Sequence, residues 1–82
     1  MSEFIVILLR QPQKYLNKQS DRDAEFIRQG LDKLRVLNGD IKAMQGMKGF
    51  YRLRVRDWRI IFEIVDERIV VHAIGPRGDV YK

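Results

Sequence analysis

From Phe50 to Phe62 apolar and polar residues alternate with period two, the pattern of strands buried on one face. Arg56-Asp57, at the middle of this stretch, reads as a two-residue turn. That turn sets Val55 against Trp58, Leu53 against Ile60 and Tyr51 against Phe62, which makes one face apolar. On the other face Arg54 falls opposite Arg59, and Arg52 opposite Ile61. Like charges directly opposite each other destabilise an antiparallel pair. A chain that keeps them there implies an anionic partner for the surface, with nucleic-acid phosphate the leading candidate.

Eighty-two residues make one domain, residues 1–82. A domain this small buries only about 60% of the surface its unfolded chain exposes, so its stability should be modest. The longest apolar run, Phe4-Ile5-Val6-Ile7-Leu8-Leu9, is far too short to span a bilayer and has no basic leader before it. The expected location is the cytoplasm. The chain has no cysteine and a single histidine, which rules out a disulfide or thiolate metal site and argues against a structural metal centre. The net charge of +5 favours polyanionic partners.

Phe4 to Leu9 reads as a strand buried on both faces, hence central in a sheet. Gln11-Pro12 ends it, and Gln13 to Lys18 follows as a short helix. Ser20 with Asp23 resembles a capping box opening a longer helix from about Asp21 to Leu37. Ala24, Ile27, Leu31 and Leu34 form that helix's apolar stripe, with Asn38-Gly39 as its stop. Gly30 costs it roughly 1 kcal/mol relative to alanine. Asp40 to Gly49 reads as a loop pinned by Ile41, Met44 and Met47. Strands then follow near Phe50–Val55, Trp58–Val65 and Arg68–Ile74, the last two joined by a turn at Asp66-Glu67. The register of that second hairpin sets Ile64 against Ile69, Phe62 against Val71 and Ile60 against Ala73. Its other face pairs Glu63 with Val70, Ile61 with His72 and Arg59 with Ile74. Gly75-Pro76 stops the last strand. The expected fold is α+β, in the order β-α-α-β-β-β. A helical hairpin packs on one face of a mainly antiparallel four-stranded sheet, and Arg52, Arg54, Arg59 and His72 lie on the other.

The run Gly46-Met47-Lys48-Gly49-Phe50-Tyr51-Arg52-Leu53-Arg54-Val55-Arg56-Asp57-Trp58-Arg59-Ile60-Ile61-Phe62-Glu63-Ile64 resembles the central signature of RelE/ParE-type toxins of bacterial type II toxin–antitoxin systems. The tail Gly75-Pro76-Arg77-Gly78-Asp79-Val80-Tyr81 is similar to that family's closing segment. The resemblance covers essentially the whole chain and is stronger to the RelE-like branch. It implies a toxin that cuts mRNA on the ribosome, with a cognate antitoxin protein, the ribosome and mRNA as partners, and neither a membrane nor a small-molecule cofactor. ParE-like relatives, which act on DNA gyrase, are the alternative, followed by a non-catalytic basic RNA-binding member. Position by position, the resemblance assigns catalytic roles to Arg52, Arg54, Arg59, Arg77 and Tyr81. Lys48, Arg56 and His72 are secondary RNA-binding candidates. The chain departs from the family in carrying arginines at 52 and 54, where well-studied nucleases have lysines, and in flanking Arg77 with Pro76 and Gly78.

These residues suit RNA cleavage in which the substrate's own 2′-hydroxyl attacks, a reaction that needs no metal. Arginine stays protonated and presents a planar fork to phosphate oxygens. For the same reason it is a poor general base, which leaves proton transfer to Tyr81, His72 or the ribosome. Each residue also has a plain structural reading: Arg52 and Arg54 as solvated strand residues, Arg56 as a turn charge, Arg59 paired with Glu63 or Asp79, and His72 as a half-buried strand residue.

Overall fold

The structure is a computed structural model and describes residues 3–76. Its elements are β1 (Ile5–Leu8), α1 (Arg10–Asn17), α2 (Asp21–Leu34), β2 (Asp40–Ala43), β3 (Phe50–Val55), β4 (Trp58–Val65) and β5 (Arg68–Pro76). The five strands form one mixed sheet in the order β1-β5-β4-β3-β2. The fold is α+β as expected, but the sheet has five strands where four were predicted, and β1 runs parallel to β5. Both helices lie on one face.

The extra strand is β2, in the segment predicted to be a loop. Asp40-Ile41-Lys42-Ala43 alternates polar and apolar, but it spans only two cycles between glycines, too short for periodicity to identify. Pairing decides it: Ile41 sits opposite Leu53 and turns toward the core. The strand β1 is also misplaced by the sequence reading. It forms a sheet edge, with Ile5 58% and Ile7 38% exposed, whereas Val6 and Leu8 pack on the core.

Register carries the core. Leu53, Ile60, Phe62, Ile69, Val71 and Ile74 are all at most 2% exposed on the helix face, beneath Ile27, Leu31 and Leu34 of α2. The β3–β4 register is as read from the sequence: Val55 opposite Trp58, Leu53 opposite Ile60, Tyr51 opposite Phe62. The β4–β5 register holds from Val65 to Phe62 and then shifts, because β5 bulges between Val71 and Ala73 opposite the Ile61/Phe62 step. Beyond the bulge Ile60 faces Ile74 and Ile61 faces Ala73, one residue off the expected pairing. Ile74 therefore takes the core position expected of Ala73. A bulge inserts one residue and exchanges the faces of those that follow, which period-two counting cannot anticipate.

The strand β5 also runs on through Gly75 and Pro76, opposite Arg59 and Trp58. Among the described residues its far edge has no strand partner beyond Val71, and Gln11 serves there instead. Its Nε2 donates to the Ile74 carbonyl at 2.8 Å, and its Oε1 accepts from the Ile74 N–H at 2.9 Å. Alternate residues send their N–H groups to the same side, so the nitrogen of Pro76 faces away from β4 and the missing donor costs no ladder bond.

Helix α1 starts at Arg10, three residues before its expected start, with Pro12 buried in the first turn, where proline is tolerated. Helix α2 opens on Ser20, whose side chain accepts from the Asp23 N–H at 3.2 Å. It ends at Leu34, earlier than expected. The Asn38 N–H reaches the Lys33 carbonyl at 3.0 Å and the Leu37 N–H reaches Leu34 at 3.0 Å, with Leu37 left-handed at φ 51°. This is a Schellman closure in which leucine takes the place glycine usually fills. Gly30 also has its reason: a Cβ there would run into Val55 Cγ2, so its absence lets α2 lie close on β3.

Candidate functional site

Opposite the helices, the open face of the sheet has two parts. Toward β2 and β3 it is cationic. Arg54 lies directly opposite Arg59, and Arg52 opposite Ile61, as the hairpin register predicts. The strand β2 then adds Lys42 opposite Arg52 and Asp40 opposite Arg54. Lys42 is the site residue that sequence reasoning missed, because its strand was read as a loop; the charged flanks of Ile41 were the available signal. Lys42 and Arg52 line a groove of about 410 Å³ with Ala43, Met44 and Gln45. Asp40 offsets part of the charge on Arg54, but among the described residues no ion pair within 4 Å joins the two. Arg54 is exposed, and Arg52 and Arg59 are half-buried.

The bulge residue His72 projects on the same face. Its Nε2 lies 3.0 Å from Glu63 Oε1, and its ring centroid is 5.0 Å from that of Phe50. Glu63, expected as a possible partner of Arg59, is thus paired with the histidine. With Nε2 engaged there, Nδ1 is the ring nitrogen left to meet a ligand. His72 stands beside the row that carries Arg52 and Ile61, one step away from the Arg54–Arg59 row.

Two secondary candidates lie elsewhere. The Arg56 guanidinium sits 3.6 Å from the ring centroid of Phe26 on α2, so it clamps the β3–β4 turn to the helix layer. Its backbone is left-handed, φ 52°. Lys48 is exposed in the loop between β2 and β3, at the opposite end of the sheet from Arg54 and Arg59. Arg77 and Tyr81, the remaining catalytic candidates, lie outside the described residues.

Beyond the cations the open face turns apolar toward β1. Ile5, Ile7 and Val65 are each at least 38% exposed there. The face as a whole offers several fixed cations, a histidine–carboxylate pair and an adjoining apolar strip. Guanidinium groups so placed match the charge and geometry of a phosphate.

Comparisons with known proteins bear on the fold and on the family. No curated protein sequence matches the chain. Several solved structures share its fold. An archaeal RelE–RelB complex from Pyrococcus horikoshii aligns with TM-score 0.77 at 22% identity, covering 94% of this chain and 98% of that one. A RelB–RelE antitoxin–toxin complex from Methanococcus jannaschii gives 0.74 at 21%, covering 92% and 94%. A mutant of the E. coli toxin RelE in the free state gives 0.74 at 18%, covering 99% and 92%. At such identities the likeness establishes the fold. Membership rests on the sequence itself, since the model of the ParE toxin of type II toxin–antitoxin systems matches residues 7–81. With the arginine-bearing hairpin inside that span, the chain belongs to the ParE toxin family, within the RelE/ParE superfamily.

Proposed function

We propose that this toxin is a ribosome-dependent mRNA endonuclease, cytoplasmic and neutralised by a cognate antitoxin. The observation that carries the reading is the cationic face: Arg54 opposite Arg59 beside Arg52 opposite Lys42, a concentration of positive charge across neighbouring strands that suits an anionic ligand. A bound phosphodiester would supply the opposite charge.

In the proposed reaction the mRNA 2′-oxygen forms a bond to phosphorus as the bond from phosphorus to the 5′-oxygen breaks. This leaves a 2′,3′-cyclic phosphate and a free 5′-hydroxyl. The 2′-hydroxyl gives up its proton and the departing oxygen gains one. Arg52, Arg54 and Arg59 stabilise the phosphorane charge, a contribution that is usually the largest in such sites. Arg77 and Tyr81 join them by family resemblance. His72, held by Glu63, and Tyr81 are the groups able to relay a proton. The sequence offers no strong general base, so substrate alignment must come from the ribosome. Purified protein should therefore leave free RNA nearly untouched and cut mRNA on translating ribosomes. Equal cutting of both would contradict the reading.

A second reading has one specific observation in its favour. The matching family model is that of the ParE toxin, and the resemblance of the sequence implies DNA gyrase as the target of ParE-like relatives. On that reading the same cationic face would contact protein, and expression would produce gyrase-dependent DNA breaks with mRNA intact.

The antitoxin's place is suggested by surface chemistry. Exposed Ile5, Ile7 and Val65 lie on the same open face as the cations, toward its other edge, which suits an acidic segment with apolar anchors. Its binding should raise the melting temperature of the domain.

A further inference from the structure

The two helices differ in the charge of their first turns. Helix α2 follows the macrodipole, with Asp21 and Asp23 in its first turn and Lys33 in its last. Helix α1, Arg-Gln-Pro-Gln-Lys-Tyr-Leu-Asn, has no acidic residue at all and opens on Arg10, a cation at the positive end of the dipole. Lys14 follows four residues later and Lys18, at the C-cap, four after that. Residues four apart lie on one helix face, and like charges at that spacing repel. All three are exposed, and among the described residues no ion pair holds any of them. Arg10 therefore opposes the dipole and the four-residue spacing adds repulsion along the ridge, while Lys14 in the last turn and Lys18 at the C-cap meet the favourable end of the dipole.

These cations line a shallow groove of about 440 Å³ with Gln11 and Tyr15. The groove's position is fixed by Gln11, whose amide is bonded to both backbone groups of Ile74. The next residue of β5, Gly75, lies opposite Arg59. The start of the ridge thus stands at the end of the sheet where Arg54 and Arg59 face each other.

We propose that Arg10, Lys14 and Lys18 form a second RNA-backbone site, continuous around the sheet end with the cationic open face. The inference rests on the nuclease reading and extends it: the sheet arginines hold the reacting phosphate, and the α1 ridge binds further phosphates. A rise of about 6 Å per four helical residues spaces the charges evenly, as a phosphate backbone requires. An acidic protein segment with apolar anchors fits less well. Such anchors are matched instead by the exposed Ile5, Ile7 and Val65 on the open face.

The test compares the full chain with its Arg10→Gln/Lys14→Gln/Lys18→Gln variant. Affinity for purified ribosomes and for a free single-stranded RNA is measured across a salt series, and antitoxin affinity in parallel. The log–log salt dependence should become shallower by about 2 in the variant, at roughly 0.7 for each phosphate no longer neutralised. A change seen on ribosomes assigns the phosphates to ribosomal RNA, and one on the free strand to the message. The melting temperature should hold or rise, since the substitutions relieve repulsion. Unchanged slopes would make the ridge a solvated face and overturn the proposal. Weaker antitoxin binding with ribosome affinity intact would assign it to a protein partner and overturn it too. A wild-type chain that cuts no translated mRNA contradicts the nuclease reading itself, whereas unchanged slopes in a chain that does cut contradict the ridge alone.

Discussion

The two faces of this sheet are built from the same strands in alternation, yet they carry different information. On the helix side, Leu53, Ile60, Phe62, Ile69, Val71 and Ile74 are closed to solvent and leave no room for charge. On the open side the alternate positions hold Arg52, Arg54, Arg59, Glu63 and His72. The buried face determines register, because a slip of one residue would drive arginines beneath the helices. The open face is then free to depart from what stability alone would select. Like charges gathered on such a face point to a ligand of opposite charge.

The contrast breaks most sharply at Phe62. Phe62→Ala should cost about 3–5 kcal/mol, enough to unfold much of so small a domain. Arg54→Ala, on the exposed face, should change stability by no more than about 0.5 kcal/mol while impairing activity. Denaturant titration of the two variants checks the pair. Comparable losses of stability would mean that the open face is structural after all.

A smaller effect probes how closely the helix layer sits on the sheet. Gly30→Ala gains helix propensity but places a methyl against Val55, with a net loss of about 1–3 kcal/mol. Adding Val55→Ala should recover part of that loss, a coupling that a double-mutant cycle reads directly. Additive losses would show that α2 does not depend on the close approach.

The smallest expected effect is a gain. Leu37 is left-handed at the close of α2 and partly exposed, so Leu37→Gly should relieve backbone strain worth about 0.5–1 kcal/mol and raise the melting temperature by a few degrees. A fall would mean that the leucine side chain contributes more than its backbone costs.

Much of this was legible in the sequence where a turn and a run of six or more alternating residues agreed. The β3–β4 hairpin is the clearest case, and it delivered Arg52, Arg54 and Arg59 to one face. Three features were not legible, each for a different physical reason. The strand β2 is too short for periodicity and exists by pairing with β3, so Lys42 was missed. The all-apolar β1 reads as a central strand, yet it is an edge whose Ile5 and Ile7 stay exposed. The bulge at His72 is invisible to any count of two, and it decides that Ile74 is core and that His72 meets Glu63. Arg56 illustrates a fourth limit, since nothing local in the sequence announces that its guanidinium will settle on Phe26.

The central claim is that the cationic open face acts on RNA phosphate. Its most direct test is primer extension on translated messages after inducing the chain alone, set beside the Arg54→Ala/Arg59→Ala variant. The wild type should arrest growth and leave discrete cuts in translated mRNA. The variant should stay folded and cut at least about a hundredfold more slowly, a loss of roughly 3 kcal/mol of charge stabilisation. Full toxicity in the double variant, or toxicity that tracks gyrase-dependent DNA breaks while mRNA stays intact, would contradict the claim.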